Sequence, residues 1–124
     1  MREALRYLKN AEEILKKAPR EGNIFADVKY VQEACGTAYL AVLKAIDEYL
    51  LNKGVSKKEL PRSIDAYRRA LQKYLAVHNG KFLREFDSLY DQLYIAGYYR
   101  GLLHNVDIVK DALKAARAFI EKKK

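Results

Sequence analysis

Two side chains in this sequence have the types and the spacing to act on a phosphodiester. Arg100 and His104 stand four apart within "GYYRGLLHN", residues 97–105. A histidine titrating near neutral pH serves as general acid or base, and an arginine holds a phosphate and stabilises the charge that develops on it. That pair would cleave RNA without a metal. The competing reading is architectural. Arg100 would pair with a carboxylate such as Asp91 or Asp107, and His104 would cap the end of a helix. A helical turn at this point would put both side chains on one face.

A second candidate is aromatic. Tyr90, Tyr94 and Tyr98 recur at i, i+4 and i+8, with Tyr99 beside them, and ten tyrosines occur in the chain. Such a ribbon stacks bases or lines a protein interface, unless its rings merely straddle the edge of the core. A third is basic: Arg62, Arg68, Arg69 and Lys73 form one local cluster that could contact phosphate or be the solvated side of a helix.

Other chemistries are excluded by what is missing. Cys35 is the single cysteine, so neither an internal disulfide nor a Cys-rich zinc site can form. It lies in an apolar stripe and reads as a small buried hydrophobe. Histidine occurs only at 78 and 104, neither preceded three residues earlier by glutamate, which removes the Glu-x-x-His pattern of a di-metal bundle. His78 precedes "NG" and reads as part of a helix end. No glycine-rich phosphate loop is present. The expectation is that the chain uses no metal or cofactor.

The net charge of +8 is uneven. Residues 1–60 hold 11 basic and 9 acidic side chains, and residues 61–124 hold 13 and 7. The excess could steer a polyanion such as RNA, but acids and bases are interleaved, as on an ordinary charged surface. No segment has the roughly 18 apolar residues of a membrane span, and the start of the chain is amphipathic rather than signal-like. The expected setting is cytoplasmic, away from any membrane.

The elements that must position these residues are helices. A first helix over about 2–18 carries Leu5, Leu8, Ala11 and Leu15 on one stripe, and Pro19 ends it. "PREGN" reads as a loop, with Ile24 and Phe25 anchoring it to the core. A second, longest helix starts at the N-cap Asp27 and runs to Lys53, with Gly54 just beyond. Its stripe includes Val31, Ala34, Cys35, Ala38 and Val42. Leu40, Ala41 and Leu43 widen it, so its middle is expected to be buried on more than one side. A third helix opens at Ser63 and ends near "HNG", with Val77 among its inward positions. A fourth begins near Lys81, and a fifth carries Val106, Val109, Leu113, Phe119 and Ile120 inward. No window alternates with period two. Gly97 and Gly101, with Asn105 as a potential N-cap, predict a kink or break between the last two helices. One unbroken helix there would be about 60 Å long, too long for a domain of this size.

Two stretches carry a family resemblance. "VQEACGTAYLAVLKAIDEYLLNKG" resembles the long second helix of the HEPN superfamily, and "RGLLHNVDIVKDALKAARAFIEK" resembles its last helix, which follows an arginine. Members are small bacterial and archaeal helical bundles, often found beside nucleotidyltransferases or acting as RNases. The RNases carry an arginine and a histidine separated by four to six residues. Arg100 and His104 have three between them, one short of that motif.

The expected fold is therefore all-α: an antiparallel up-and-down bundle of four main helices, the second central and the C-terminal segment kinked or split near 97–105, as one domain over residues 1–124. The expected function is a non-catalytic HEPN-like interaction module of a bacterial chain, self-associating into a homo-oligomer, with a nucleotidyltransferase as a possible protein partner. The rivals are an endoribonuclease using Arg100 and His104, and a non-catalytic RNA- or nucleotide-binding module.

Overall fold

Capping residues place the helix starts where the sequence predicts them. The Asp27 carboxylate accepts from the Lys29 amide at 3.0 Å, Ser63 Oγ from the Ala66 amide at 3.1 Å, and Asn105 Oδ1 from the Ile108 amide at 3.1 Å. Each satisfies an amide that the first helical turn leaves without a partner. The structure is a computed structural model that describes residues 2–75 and 80–122. Its elements in order are α1 (Arg2–Lys16), β1 (Arg20–Glu21), β2 (Ile24–Phe25), α2 (Val28–Asn52), a 3-10 turn (Lys57–Glu59), α3 (Ile64–Tyr74), α4 (Lys81–Leu89), a π-helix (Tyr90–Tyr99) and α5 (Val106–Glu121). Val77 and His78, read as the end of the third helix, lie outside the described residues.

The architecture is an all-α bundle in which α2 packs against α1, α5 and the π-helix. Leu8, Val31, Val42, Phe86, Leu93, Val109 and Ile120 are among the fully buried residues of its core. α1 runs antiparallel to α2: Lys44 Nζ sits 4.8 Å from the Tyr7 ring, while Ile14 borders the same cavity as Gly36. The C-terminal segment is split, as predicted. α4 runs straight into the π-helix, and an irregular linker over 100–105 separates that arm from α5.

Three local features depart from expectation. The loop after Pro19 contains a small antiparallel hairpin, in which Arg20 pairs with Phe25 and Glu21 with Ile24. Neighbouring strand residues face opposite ways, so only Phe25 anchors it; Ile24 is exposed. The fourth helix changes its winding at Tyr90, from i→i+4 to the wider π turn. Finally, Leu43 is only half-buried, and Leu40 is not buried with Ala41 in the middle of α2. Leu40 is 47% exposed, whereas Ala41 is fully buried.

Candidate functional site

The surface left by Leu40 is the wall of a groove. One face of α2 (Val31, Ala34, Cys35, Ala38, Val42) is buried, while a second stripe of Glu33, Gly36, Thr37, Leu40 and Leu43 borders an open cavity of about 790 Å³. Helical spacing puts those five on one line, about 15 Å long at 1.5 Å per residue. The opposite wall is Tyr90, Tyr94 and Tyr98 of the π-helix. Their rings stack in sequence, with centroids 5.5 Å apart for Tyr90–Tyr94 and 5.7 Å for Tyr94–Tyr98. Tyr39 lies beneath them, 5.9 Å from Tyr90 and 5.2 Å from Tyr94, and in turn packs on Phe86 at 6.5 Å.

Close approach of two backbones makes this wall. A Cβ on Gly97 would stand 2.6 Å from Cys35 Sγ and 2.7 Å from Cys35 Cβ, closer than any side chain permits. It would also stand 3.0 Å from the Gln92 carbonyl of its own wide turn. One residue on, Tyr98 lies in the space a Cβ on Gly36 would need. Tyr90 on Tyr39, Gly97 on Cys35 and Gly101 on Gln32 step back along α2 as the chain advances, so the π-helix is antiparallel to α2.

The groove is polarised. Glu33 lies at the Tyr98 end, next to Gly36, and is exposed. Arg62, Ser63, Ile64 and Tyr67, where α3 begins, line the groove toward the other end, since Tyr67 reaches Asp47, one turn past Leu43 on α2. There the Tyr67 hydroxyl donates to Asp47 Oδ1 at 2.9 Å. Burial is the main reason the Asp47 carboxyl titrates above its usual range, opposed by that hydrogen bond and by Lys44. The Tyr67 phenol is pushed well up by burial, then by the Asp47 charge, and Tyr39 is pushed up by burial, then by Tyr90 and Tyr94. Cys35, on the buried side, has its thiol pushed up to about 12 by burial, as an inert core residue should.

Arg100 and His104 lie elsewhere, on the linker, and both are exposed. The Arg100 amide donates to the Ile95 carbonyl at 2.9 Å and the Leu102 amide to the Ala96 carbonyl at 2.8 Å. The second bond encloses one residue more than the ordinary glycine-terminated helix end. Gly101 takes φ 60 to make that closure, a conformation that side chains resist. Gln32 Nε2 adds a bond to the Tyr98 carbonyl at 3.1 Å. Beyond it the chain is not helical and runs beside the hairpin: Phe25 donates to the His104 carbonyl and Val106 to the Asn23 carbonyl, both at 2.9 Å. The i, i+4 spacing therefore does not place Arg100 and His104 on a helical face. The alternative ion pair is not formed either. Asp107 accepts from Asn23 Nδ2 at 3.2 Å, and among the described residues Arg100 pairs with neither Asp91 nor Asp107.

The basic cluster is divided among three surroundings. Arg62 faces the aromatic groove. Arg68 binds Asp87 at 3.0 Å. Arg69 and Lys73 border a smaller cavity of about 360 Å³ with Glu59 and Tyr74, and Lys73 Nζ lies 5.3 Å from the Tyr74 ring. The tyrosine ribbon is brought together for 90, 94 and 98, whereas Tyr99 faces solvent at 73% exposure. Among the described residues, no group of three His, Cys, Asp or Glu side chains is arranged to hold a metal ion, and no helix is long and apolar enough to cross a membrane. Sequence reasoning missed Leu40, Thr37 and Glu33 as site residues. The only signal for them was a second i, i+3, i+4 line on α2, which reads equally well as a wider core.

The fold and groove define the class: an all-α bundle with an open, tyrosine-walled groove along its central helix. The chain matches the family described as Domain of unknown function (DUF5618) over residues 1–124, and it belongs to that family. Among solved structures it is similar to a protein of unknown function from Dyadobacter fermentans, at 34% identity with a TM-score of 0.78, over 97% of this chain and 90% of that one. No curated protein sequence matches it.

Proposed function

We propose that this chain is a non-catalytic, HEPN-like interaction module that self-associates through its tyrosine-walled groove. The observation that carries this is surplus apolar surface in one place. Leu40 and Tyr98, 47% and 46% exposed, sit on opposite walls of the groove, and the intrachain core leaves both uncovered. A contiguous apolar patch of this kind, rich in tyrosine, is what protein interfaces bury. The likeness to HEPN domains rests on the long central helix and on a last helix that follows an arginine. A nucleotidyltransferase is the partner class that this likeness suggests.

Arg100 and His104 support catalysis less well, because the linker spaces them without a shared helical face. RNA binding without cleavage has the basic second half of the chain in its favour, but Arg62, Arg68, Arg69 and Lys73 do not converge. The test is sedimentation equilibrium over a wide concentration range, beside an RNA-cleavage assay with chelator. A reversible dimer with no cleavage is expected. A monomer at all concentrations would refute self-association. Cleavage lost in both Arg100→Ala and His104→Ala would make the linker an active site instead.

A further inference from the structure

We infer that two copies of this chain meet groove to groove about a two-fold axis, with Glu33 of each copy set against Arg62 of the other. This rests on the self-association reading and specifies its geometry. The groove has an acid at one end and a base at the other, along a line set by α2. Among the described residues neither Glu33 nor Arg62 forms an ion pair within its own chain. Their neighbour Arg68 is already held by Asp87.

A two-fold axis through the middle of the groove exchanges its ends, so it brings unlike charges together twice. Isologous contacts have this property: if residue i meets j, then j meets i. The same operation sets the α2 helices antiparallel, with the axis near position 38. Leu40 of one copy then lies over Thr37 and Tyr98 of the other, beside Gly36, where α2 itself contributes no side chain. The exposed leucine would find an apolar seat in a wall that has small residues on one side and a ring on the other. A parallel arrangement would oppose Glu33 to Glu33 and Arg62 to Arg62. The charges therefore select the orientation, while the tyrosines and Leu40 supply the buried area. That division of labour is usual for rim charges, which direct partners more than they bind them.

Charge exchange tests this. The full-length chain is compared as wild type, Glu33→Arg, Arg62→Glu, the double variant, and an equimolar mixture of the two single variants. Both positions are exposed, so each variant should fold, which far-UV circular dichroism checks. Each single reversal creates two like-charge contacts and is expected to weaken dimerisation by roughly tenfold or more. The double variant and the mixture, which forms a heterodimer with both attractive contacts restored, should return close to wild type. A dimer indifferent to the single reversals would overturn the proposed geometry and leave self-association standing. Single variants that weaken without rescue in the double variant or the mixture would overturn the two-fold register. A monomeric wild type would instead remove the reading on which the proposal rests.

Discussion

The groove wall and the linker come from adjacent residues, 90–99 and 100–105, yet they are held by opposite means. The wall is fixed by side chains: rings stacked on rings, and Gly97 pressed on Cys35. The linker is fixed by main chain: amide–carbonyl bonds join it and the start of α5 to Ile95, Ala96, Asn23 and Phe25, while Arg100, Leu102 and His104 turn outward. Arg100 and His104 owe their location to backbone bonds that are indifferent to residue type. The tyrosines owe theirs to packing that depends on it. A pair of reactive residue types is thus a weaker guide to a site than a run of residues whose identity the packing demands.

Deleting the groove's support should have the largest effect. Phe86 is fully buried and lies 6.5 Å from Tyr39 and 6.2 Å from Tyr67, between rings that floor and line the groove. Phe86→Ala is expected to lose about 3–5 kcal/mol in urea unfolding. Retention of wild-type stability would mean that this region is not packed as described.

Gly97→Ala asks whether the close approach of the π-helix to α2 is required. The added methyl has no space beside Cys35, and overpacking should cost about 1–3 kcal/mol by the same measurement. A neutral result would show that the two helices separate easily, and the contrast with the linker would weaken.

One linker side chain holds the start of the next helix. Asn105→Ala removes the cap of α5 and should cost about 1 kcal/mol, visible as a lowered urea midpoint with unchanged slope. Smallest of all, Arg100→Ala and His104→Ala should each stay within about 0.5 kcal/mol of wild type, because both are exposed and, among the described residues, only their main chain is engaged. A loss above 1 kcal/mol for either would mean that a side-chain interaction holds the linker, and the comparison would have to be redrawn.

Much of this could be read in advance from short stretches. Asp27, Ser63 and Asn105 announce helix starts because a cap acts on amides two or three residues away. The inward stripes of α1, α2 and α5 follow from helical period. Even the hairpin left a trace in the two-residue "GN" between "RE" and "IF", a loop of the length that joins antiparallel strands. Strands of two residues are too short to alternate visibly, so the stretch reads as a plain loop.

The site was legible only in part. Tyr90, Tyr94 and Tyr98 could be placed together from their spacing, because i, i+4 neighbours stay adjacent in an α-turn and in the wider π-turn. Arg68 and Arg62 could not be told apart, since Asp87 lies 19 residues from one and the groove is assembled from four separate segments.

By itself, then, the sequence determined the helices, their caps, the buried stripe of α2 and the break before α5. Those depend on residues within a turn or two of one another. The tertiary structure alone decided which second stripe of α2 stays uncovered, that the fourth helix widens into a π-helix, and which way the linker faces. Each of these turns on a contact between residues distant in the chain: Gly97 against Cys35, Gln32 with Tyr98, and Phe25 with His104. Local periodicity shows that a face is apolar; only packing at long range settles what covers it.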